Sequence, residues 1–320
     1  MNPIQSLPLV NIKTAAGKSF SKLDLYYQHF GQPLGQAPVV LINHSLTGDA
    51  NVAGPKGWWS ALVGSEKTID TNRYAVLAFN IPGNGTKGQL FTKPEDFHTG
   101  DIASFFLAGL KYLGVQKLHA LVGGSIGGGI AWEMAVLEPQ LANYLVPIAA
   151  DWKANDWIIA NTFLQQRILE NSNNPLEDAR IHAMLTYRTP QSFSYRFDRT
   201  KNKELGVYNI ESWLNYHGKK LANRFHLDAY KLMNHLLASI NIERDGAQAV
   251  DLIQKIKSEI HLVAIGSDLF FTPIEDQKTF ALIKPIKASI YYHELNSIHG
   301  HDAFLIENEA MEEILTPLFN

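Results

Sequence analysis

The chain has 320 residues, of which 46% are hydrophobic and 18% are charged, and its net charge is −3 at pH 7. This balance is typical of a globular protein and gives no reason to expect nucleic acid or a membrane surface as a partner. There is no cysteine, which excludes disulfides, thiolate nucleophiles and cysteine metal sites.

The first residues, MNPIQSLPLV, do not show a charged segment followed by an apolar one, so we expect no signal peptide. No apolar run approaches the ~20 residues that a membrane-spanning helix needs. We therefore expect a cytoplasmic protein with no membrane partner.

Short apolar runs that end in turn residues recur along the chain. Runs of this kind are typical of strands buried on both faces, as in a parallel sheet. The predicted strands are residues 39–45, 74–83, 117–125, 141–150 and 260–268.

Helix-like segments lie between these strands. Asp101 is a candidate cap for IASFFLAGLKYL, which ends at Gly114, and residues 127–139 form a second helical pattern that stops before Pro139. Strands that alternate with helices predict the α/β class, with a mostly parallel sheet and helices on both faces.

The pattern changes after Ala150. Residues 151–237 contain no convincing strand and resemble a series of amphipathic helices, whereas the strand pattern resumes at residue 260. The sequence therefore predicts an α/β core made of residues 1–150 and 238–320, interrupted by a helical cap at residues 151–237.

A glycine-rich junction follows the run LHALV. Gly123–Gly124–Ser125–Ile126–Gly127 fits the pattern G-x-S-x-G, with a strand before it and a helix after it. In this nucleophile elbow of the α/β-hydrolase fold, a strained turn presents the serine above the sheet edge. The alternatives are a glycine-rich turn with an incidental serine and a dinucleotide loop, whose spacing these glycines do not fit.

A serine nucleophile needs a base and a carboxylate that orients the base. The fold places these partners in the chain order Ser, Asp or Glu, then His. Asp268 ends a predicted strand, and His299 and His301 follow it; we favour His301, which precedes the apolar run AFLIENEAMEEIL. Asp268 could instead begin a simple turn, and His299 is expected to be a structural or surface histidine.

His299, His301 and Asp302 also form a short cluster of possible metal ligands. A single cluster without a second ligand group is weak evidence for a metal site, so we expect no metal.

An oxyanion hole needs two backbone N–H groups. Ile126, directly after the serine, would supply one, and the loop NHSLTGD at residues 43–49 would supply the other. His44 in that loop is expected to brace the loop rather than act as a second base.

Four core segments, NHSLTGD, GGSIGGG, SDLFFTP and GHDAFL, occur in this order, and the cap segment contains ARIHAMLTYRT and IESWLNYHGKKLANRF. Together they resemble homoserine O-acetyltransferases, a group of acyltransferases with the α/β-hydrolase fold. The resemblance extends from about residue 20 to the C-terminus. It implies a catalytic triad of Ser125, Asp268 and His301, with Leu46 and Ile126 as the oxyanion donors.

The resemblance also implies substrate-binding positions. Arg180 and Tyr187 match cap residues that line the substrate tunnel, with Arg180 facing the carboxylate of homoserine. Asp302 matches the acidic residue that meets the amino group, and Thr47 belongs to the same substrate-binding set.

The activity implied is transfer of an acetyl group from acetyl-CoA to L-homoserine through an acyl-serine, a step of methionine biosynthesis. The expected partners are these small molecules and a second copy of the chain bound through the cap helices, and no bound cofactor is expected.

The segment between Arg167 and Arg180 is shorter than in relatives, and NIPGNGTKG departs from their usual loop. A hydrolase of the same fold, a succinyl- or serine-specific transferase and a non-catalytic binding protein stay open.

Overall fold

The computed structural model describes residues 3–320, apart from the side chain of Asp245. The strands are β1 Gln5–Lys13, β2 Ser19–Gly31, β3 Val39–Asn43, β4 Val63–Gly64, β5 Ile69–Asp70, β6 Ala75–Phe79, β7 Leu118–Gly124, β8 Ala142–Ile148, β9 Lys201–Asn202, β10 Val207–Tyr208, β11 Glu259–Ile265 and β12 Ile290–Leu295. The helices are α1 Thr99–Tyr112, α2 Ile126–Leu137, α3 Asp156–Asn171, α4 Pro175–Tyr187, α5 Pro190–Phe197, α6 Asn209–Ala222, α7 Leu227–Ala238, α8 Ala249–Ile253, α9 Pro273–Ile283 and α10 Asn308–Phe319.

Eight strands form the central sheet, in the order β1-β2-β6-β3-β7-β8-β11-β12. The pairs β1–β2 and β2–β6 are antiparallel, and the other five neighbouring pairs are parallel. The carboxyl ends of the six parallel strands therefore meet at one edge of the sheet. The predicted fold class, a mostly parallel sheet in an α/β protein, is confirmed.

The core lies in two layers, one on each face of this sheet. Every residue of β3 and β6 is buried, because helices or packed loops cover both faces of these strands. One layer includes apolar side chains of α1, α2 and α9. The other includes α10 and the segment around Trp59.

The start of α1 differs from the sequence prediction. His98, not Asp101, is the N-cap residue, and its side chain accepts a hydrogen bond from the backbone N–H of Asp101. The Asp101 carboxylate in turn accepts from the backbone N–H of His98, which completes a capping box. Asp101 is therefore the third residue of α1 rather than its cap, and the helix begins three residues earlier than predicted.

Helices α3 to α7 lie between β8 and α8, and the last of them ends one residue beyond the predicted cap segment at Ala238. The division into core and cap stays a prediction. Within this segment the structure adds a short antiparallel hairpin, β9–β10, where the sequence showed only a polar stretch. In α7 seven of twelve residues are buried, so this helix is the floor of the cap.

Candidate active site

Ser125 lies at the junction between β7 and α2, at the carboxyl edge of the sheet. Its φ of 56° and ψ of −128° place a non-glycine residue in a sparsely populated backbone region. The neighbouring glycines permit this turn to pack closely. A Cβ on Gly127 would lie 2.4 Å from the carbonyl oxygen of Asn43, and a Cβ on Gly123 would lie 2.2 Å from that of Gly127.

The structure brings Ser125, His301 and Asp268 together. The Ser125 Oγ lies 3.0 Å from His301 Nε2, and His301 Nδ1 lies 2.7 Å from Asp268 Oδ2. This network assigns the Nδ1–H of His301 as the donor to Asp268, which leaves Nε2 to accept from the serine hydroxyl. All three residues are at least 95% buried.

Backbone groups fix the orienting carboxylate. The N–H groups of Phe270 and Phe271 donate to Asp268 Oδ1 at 2.7 and 3.1 Å. Burial raises the pKa of Asp268 against the lowering influence of His301 and these hydrogen bonds. Burial lowers the pKa of His301, but the charges of Asp268 and Asp302 and the hydrogen bond to Asp268 outweigh it, so this pKa lies above its usual value.

Two backbone amides at the carboxyl edge of the sheet, those of Ile126 and Leu46, have no acceptor among the described residues. Ile126 is the first residue of α2, and the first N–H groups of a helix have no acceptor within it. Leu46 occupies a turn closed by the hydrogen bond from Gly48 N–H to Ser45 O, which does not use the Leu46 N–H. In the part of the chain that the structure describes, neither amide donates to another group.

Hydrogen bonds of His44 stabilise the loop that contains Leu46. His44 Nε2 accepts a hydrogen bond from the backbone N–H of Ile81 at 3.0 Å, and its Nδ1 lies 2.8 Å from Ser45 O. Burial lowers the pKa of His44, so the ring is neutral and donates from Nδ1. His44 therefore joins two loops at the sheet edge, and both of its ring nitrogens bond to backbone groups of these loops.

Arg180 and Tyr187, predicted to line the substrate tunnel, share one face of α4. The Arg180 guanidinium lies 5.9 Å from the centre of the Tyr187 ring. That ring lies 5.2 Å from the His301 ring, so α4 reaches the catalytic centre. Among residues 3–320, Arg180 forms no ion pair.

Asp302 already has a cationic partner that the sequence analysis did not predict. The Nε of Arg188 donates to Asp302 Oδ2 at 3.0 Å, and the two side chains are 15% and 17% exposed. Arg188 directly follows Tyr187 in the sequence, but a position at a helix end gives no sign of a partner 114 residues away.

Further contacts fasten the α4–α5 junction to the segment that carries His301; we call this set of contacts, between residues 187–192 and 298–302, the clasp. Thr189 donates its hydroxyl to the backbone oxygen of Ile298, and Ser192 Oγ lies 2.8 Å from His299 Nδ1. At Gly300, with φ of 66°, a Cβ would lie 2.8 Å from the Tyr187 carbonyl oxygen. His299 is thus a structural residue of the clasp.

The helical segment also contacts the loop of residues 43–49, through Thr47. The backbone oxygen of Thr47 accepts a hydrogen bond from Arg224 Nη1 at 2.9 Å. Arg224 lines a cleft of about 360 Å³ together with Gly48 and Asp49 of the same loop. The cleft therefore begins one residue from Thr47, between the cap and the sheet edge.

Over the described ranges, no three histidine, aspartate or glutamate side chains are arranged to hold a metal ion. No helix within residues 3–320 combines the length and the apolar character needed to cross a membrane.

Comparison with known proteins decides the family. Over 329 aligned residues the chain is 32% identical to a homoserine O-acetyltransferase from Cyclobacterium marinum, with 95% of this chain and 91% of that protein covered. The chain belongs to the homoserine O-acetyltransferase family. Residues 38–237 also match the alpha/beta hydrolase fold family. The resemblance found in the sequence motifs is confirmed.

Solved structures of this family and of hydrolases share the fold. A homoserine O-acetyltransferase from Bacillus anthracis superimposes with a TM-score of 0.88 at 17% identity, covering 99% of this chain and 97% of that one. An acetylester hydrolase from Corynebacterium glutamicum does so with a TM-score of 0.85 at 18% identity, covering 99% and 96%. At these identities the likeness shows the fold alone. The homoserine O-acetyltransferase family shares its architecture with enzymes named as esterases.

Proposed function

We propose that this protein transfers an acetyl group from acetyl-CoA to the side-chain hydroxyl of L-homoserine. The observation that carries the proposal is the hydrogen-bonded chain from Ser125 through His301 to Asp268, in a member of the homoserine O-acetyltransferase family. The geometry is that of a serine nucleophile, a general base and an orienting carboxylate.

In the first half-reaction His301 Nε2 accepts the hydroxyl proton as Ser125 Oγ attacks the thioester carbonyl. The N–H groups of Leu46 and Ile126 stabilise the oxyanion, and each is expected to contribute about 3 kcal/mol. The tetrahedral intermediate collapses, the C–S bond breaks, and the CoA thiolate takes the proton from His301. An acetyl-Ser125 ester is left.

In the second half-reaction the hydroxyl of homoserine replaces the thiol. His301 removes its proton, the oxygen attacks the acetyl-Ser125 carbonyl, and Ser125 regains the proton when the ester bond breaks. Arg180, without an ion pair among the described residues, suits the acceptor carboxylate, and Asp302 suits the ammonium group. The cap limits access of water, which would otherwise hydrolyse the ester.

The cap composition supports an anionic donor such as acetyl-CoA. Residues 180–224 contain nine lysines and arginines but three aspartates and glutamates, a net charge of +6 in a chain whose total is −3. Four of these cations, Arg180, Lys220, Arg188 and Arg196, are close enough to His217 to lower its pKa, after burial, to about 4. The phosphates of CoA would enter a positive field there.

Mass spectrometry of the intact protein tests the proposal. Brief mixing with acetyl-CoA should add about 42 Da at Ser125, and L-homoserine should then remove the adduct as O-acetylhomoserine. The Ser125→Ala variant, which keeps the binding residues, is the matched control and should stay unmodified. If only water removed the adduct, the proposed activity would change from transferase to hydrolase. If serine removed it and homoserine did not, the proposed acceptor would change to serine. The absence of any adduct from acetyl-CoA or succinyl-CoA would contradict acyl transfer.

We also propose that a second copy of the chain covers the outer face of α3. Ile159, Phe163 and Leu164 on this helix are 47%, 66% and 46% exposed, which is unusual for large apolar side chains that lie close together. Sedimentation velocity should find a dimer that Phe163→Glu dissociates, whereas a wild-type monomer at micromolar concentration would contradict this interface.

A further inference from the structure

The Arg188–Asp302 ion pair occupies a group that the acceptor needs. Asp302 is next to the general base His301, and its charge contributes to the raised pKa of His301. Its Oδ2 accepts from Arg188 at 3.0 Å, so the carboxylate proposed for the ammonium group already has a cation.

Arg188 uses a small part of its hydrogen-bonding capacity in this pair. Only its Nε donates, and among the described residues the two terminal nitrogens form no hydrogen bond. Arg180 lies on the same helix, with its guanidinium 5.9 Å from the Tyr187 ring, which in turn lies 5.2 Å from the His301 ring. Two cations of the α4 region and the Asp302 carboxylate are therefore linked to His301 through direct neighbours.

An acceptor with a single charge would bind here at a cost. A cation that displaced Arg188 from Asp302 would leave a guanidinium that is 15% exposed without a partner. Removing one partner of a largely buried ion pair is strongly unfavourable, because the other charge stays desolvated and unpaired. A zwitterion avoids this cost, because it supplies a new partner to each side.

We propose that Arg188 is an acceptor-binding residue and that an α-amino acid opens the Arg188–Asp302 pair by inserting into it. The α-ammonium takes Asp302, and the α-carboxylate takes the guanidinium groups of Arg188 and Arg180. The closed pair then selects acceptors that carry both charges on one carbon atom, against water and simple alcohols. This inference rests on the proposed function only in that the acceptor is an amino acid.

Arg188→Met tests this role with two acceptors, L-homoserine and 3-amino-1-propanol, which lacks the carboxylate. For homoserine kcat/KM should fall roughly 10- to 100-fold, the effect of losing a hydrogen bond between charged groups. For 3-amino-1-propanol it should stay level or rise, because Asp302 is now free. Arg188→Lys should recover part of the loss with homoserine. Lys117→Met, at an exposed lysine outside the basic cap segment, should change kcat/KM for neither acceptor.

If Arg188 had a purely structural role, Arg188→Met would lower kcat/KM equally for both acceptors. That result would overturn the proposal. Calorimetric titration of Ser125→Ala with homoserine separates this proposal from the proposed function. Binding that disappears in Ser125→Ala/Arg188→Met supports the ion-pair exchange even if wild-type protein makes no O-acetylhomoserine. An absence of binding to Ser125→Ala, or equal binding with and without Arg188, overturns it.

Discussion

A second, half-buried carboxylic acid lies at the sheet edge near Asp268. Asp151 follows β8 as Asp268 follows β11, and its Oδ1 accepts hydrogen bonds from Trp152 N–H at 2.8 Å and Thr279 Oγ1 at 2.9 Å. Burial raises the pKa of Asp151 to about 7, although these hydrogen bonds oppose the shift. Asp276 on α9 has a pKa well above its usual value for the same reason. Two carboxylic acids with raised pKa values therefore lie within electrostatic reach of each other, and Asp276 is also within reach of Asp268.

Asp151→Asn should raise the free energy of unfolding at pH 8 relative to wild type. The Asp151 carboxyl has a pKa near 7 in the folded chain and near 4 in the unfolded chain. The free energy of unfolding of the wild type therefore falls as pH rises between these two values. Asparagine resembles the protonated acid and can accept the same two hydrogen bonds. Urea denaturation at pH 5 and pH 8 should show that the difference in unfolding free energy between Asp151→Asn and wild type, here called the gap, is larger at pH 8.

Asp198→Asn, at an exposed carboxylate, is the control for this measurement and should leave the gap unchanged. An Asp151→Asn curve that runs parallel to wild type from pH 5 to pH 8 would show that Asp151 is ionised in the folded protein throughout.

The sequence predicted which individual residues form the candidate site where these residues follow the ends of strands. Ser125, Asp268 and His301 could be found because the fold fixes both their order and the sheet edge at which they meet. Arg188 and Arg224 could not, because their partners lie 114 and 177 residues away in the chain. Such contacts depend on how the cap packs on the core, which no local pattern records.

Among the elements, α2 and the loop after β3 are in close backbone contact at the candidate active site. The start of α2 packs directly on the backbone at the end of β3, where a side chain at Gly127 would meet the carbonyl oxygens of Asn43 and His44. Leu46 follows two residues later. The proposed nucleophile Ser125 and the proposed oxyanion donor Leu46 therefore depend on one backbone contact.

Gly127→Ala should damage both stability and catalysis. The new Cβ would lie 2.4 Å from the Asn43 oxygen, so β3 or α2 must move, at a cost of about 1–3 kcal/mol in unfolding free energy. The shift would also displace Leu46 from Ser125 and slow acylation by p-nitrophenyl acetate, roughly tenfold or more. Denaturant titration and the burst rate measure the two effects.

Gly64→Ala is the matched control, because its Cβ would meet only the flexible Lys67 side chain at 3.3 Å. If Gly127→Ala acylated as fast as the control, the close contact at the elbow would not be needed for catalysis.

The sequence predicted the inner strands better than the outer ones. Five of the strands, β3, β6, β7, β8 and β11, are nearly continuous apolar runs because both of their faces are buried. The strands β1, β2 and β12 lie at or next to the sheet edges, and each exposes part of its length. Their mixed polarity hid them from a search for apolar runs, and Pro8 further disguised β1.

For the whole molecule, the separation of charge between cap and core is the main electrostatic feature. The cap residues 180–224 are strongly basic, whereas the complete chain is slightly acidic. A uniform charge would not distinguish one end of the protein from another. This asymmetry directs an anionic molecule to the side of the sheet where the parallel strands end.

The KM for acetyl-CoA should therefore rise several-fold, roughly, between 50 and 500 mM salt, because salt screens exposed charges. The KM for p-nitrophenyl acetate, a neutral donor, should stay nearly constant. Lys220→Gln should reduce the salt dependence, and Lys117→Gln, at the opposite edge of the sheet, should not. Steady-state kinetics with both donors would contradict the role of the cap if their salt dependences were equal.

The clasp has a consequence for how members of this family could exchange parts. Its contacts join residues 187–192 of the cap to residues 298–302 beside the base, although the two segments are far apart in the sequence. A chimera that received only residues 151–237 from a relative would combine one parent's arginine and threonine with the other parent's histidine segment. We expect recombination that preserves catalysis to require the transfer of both segments together.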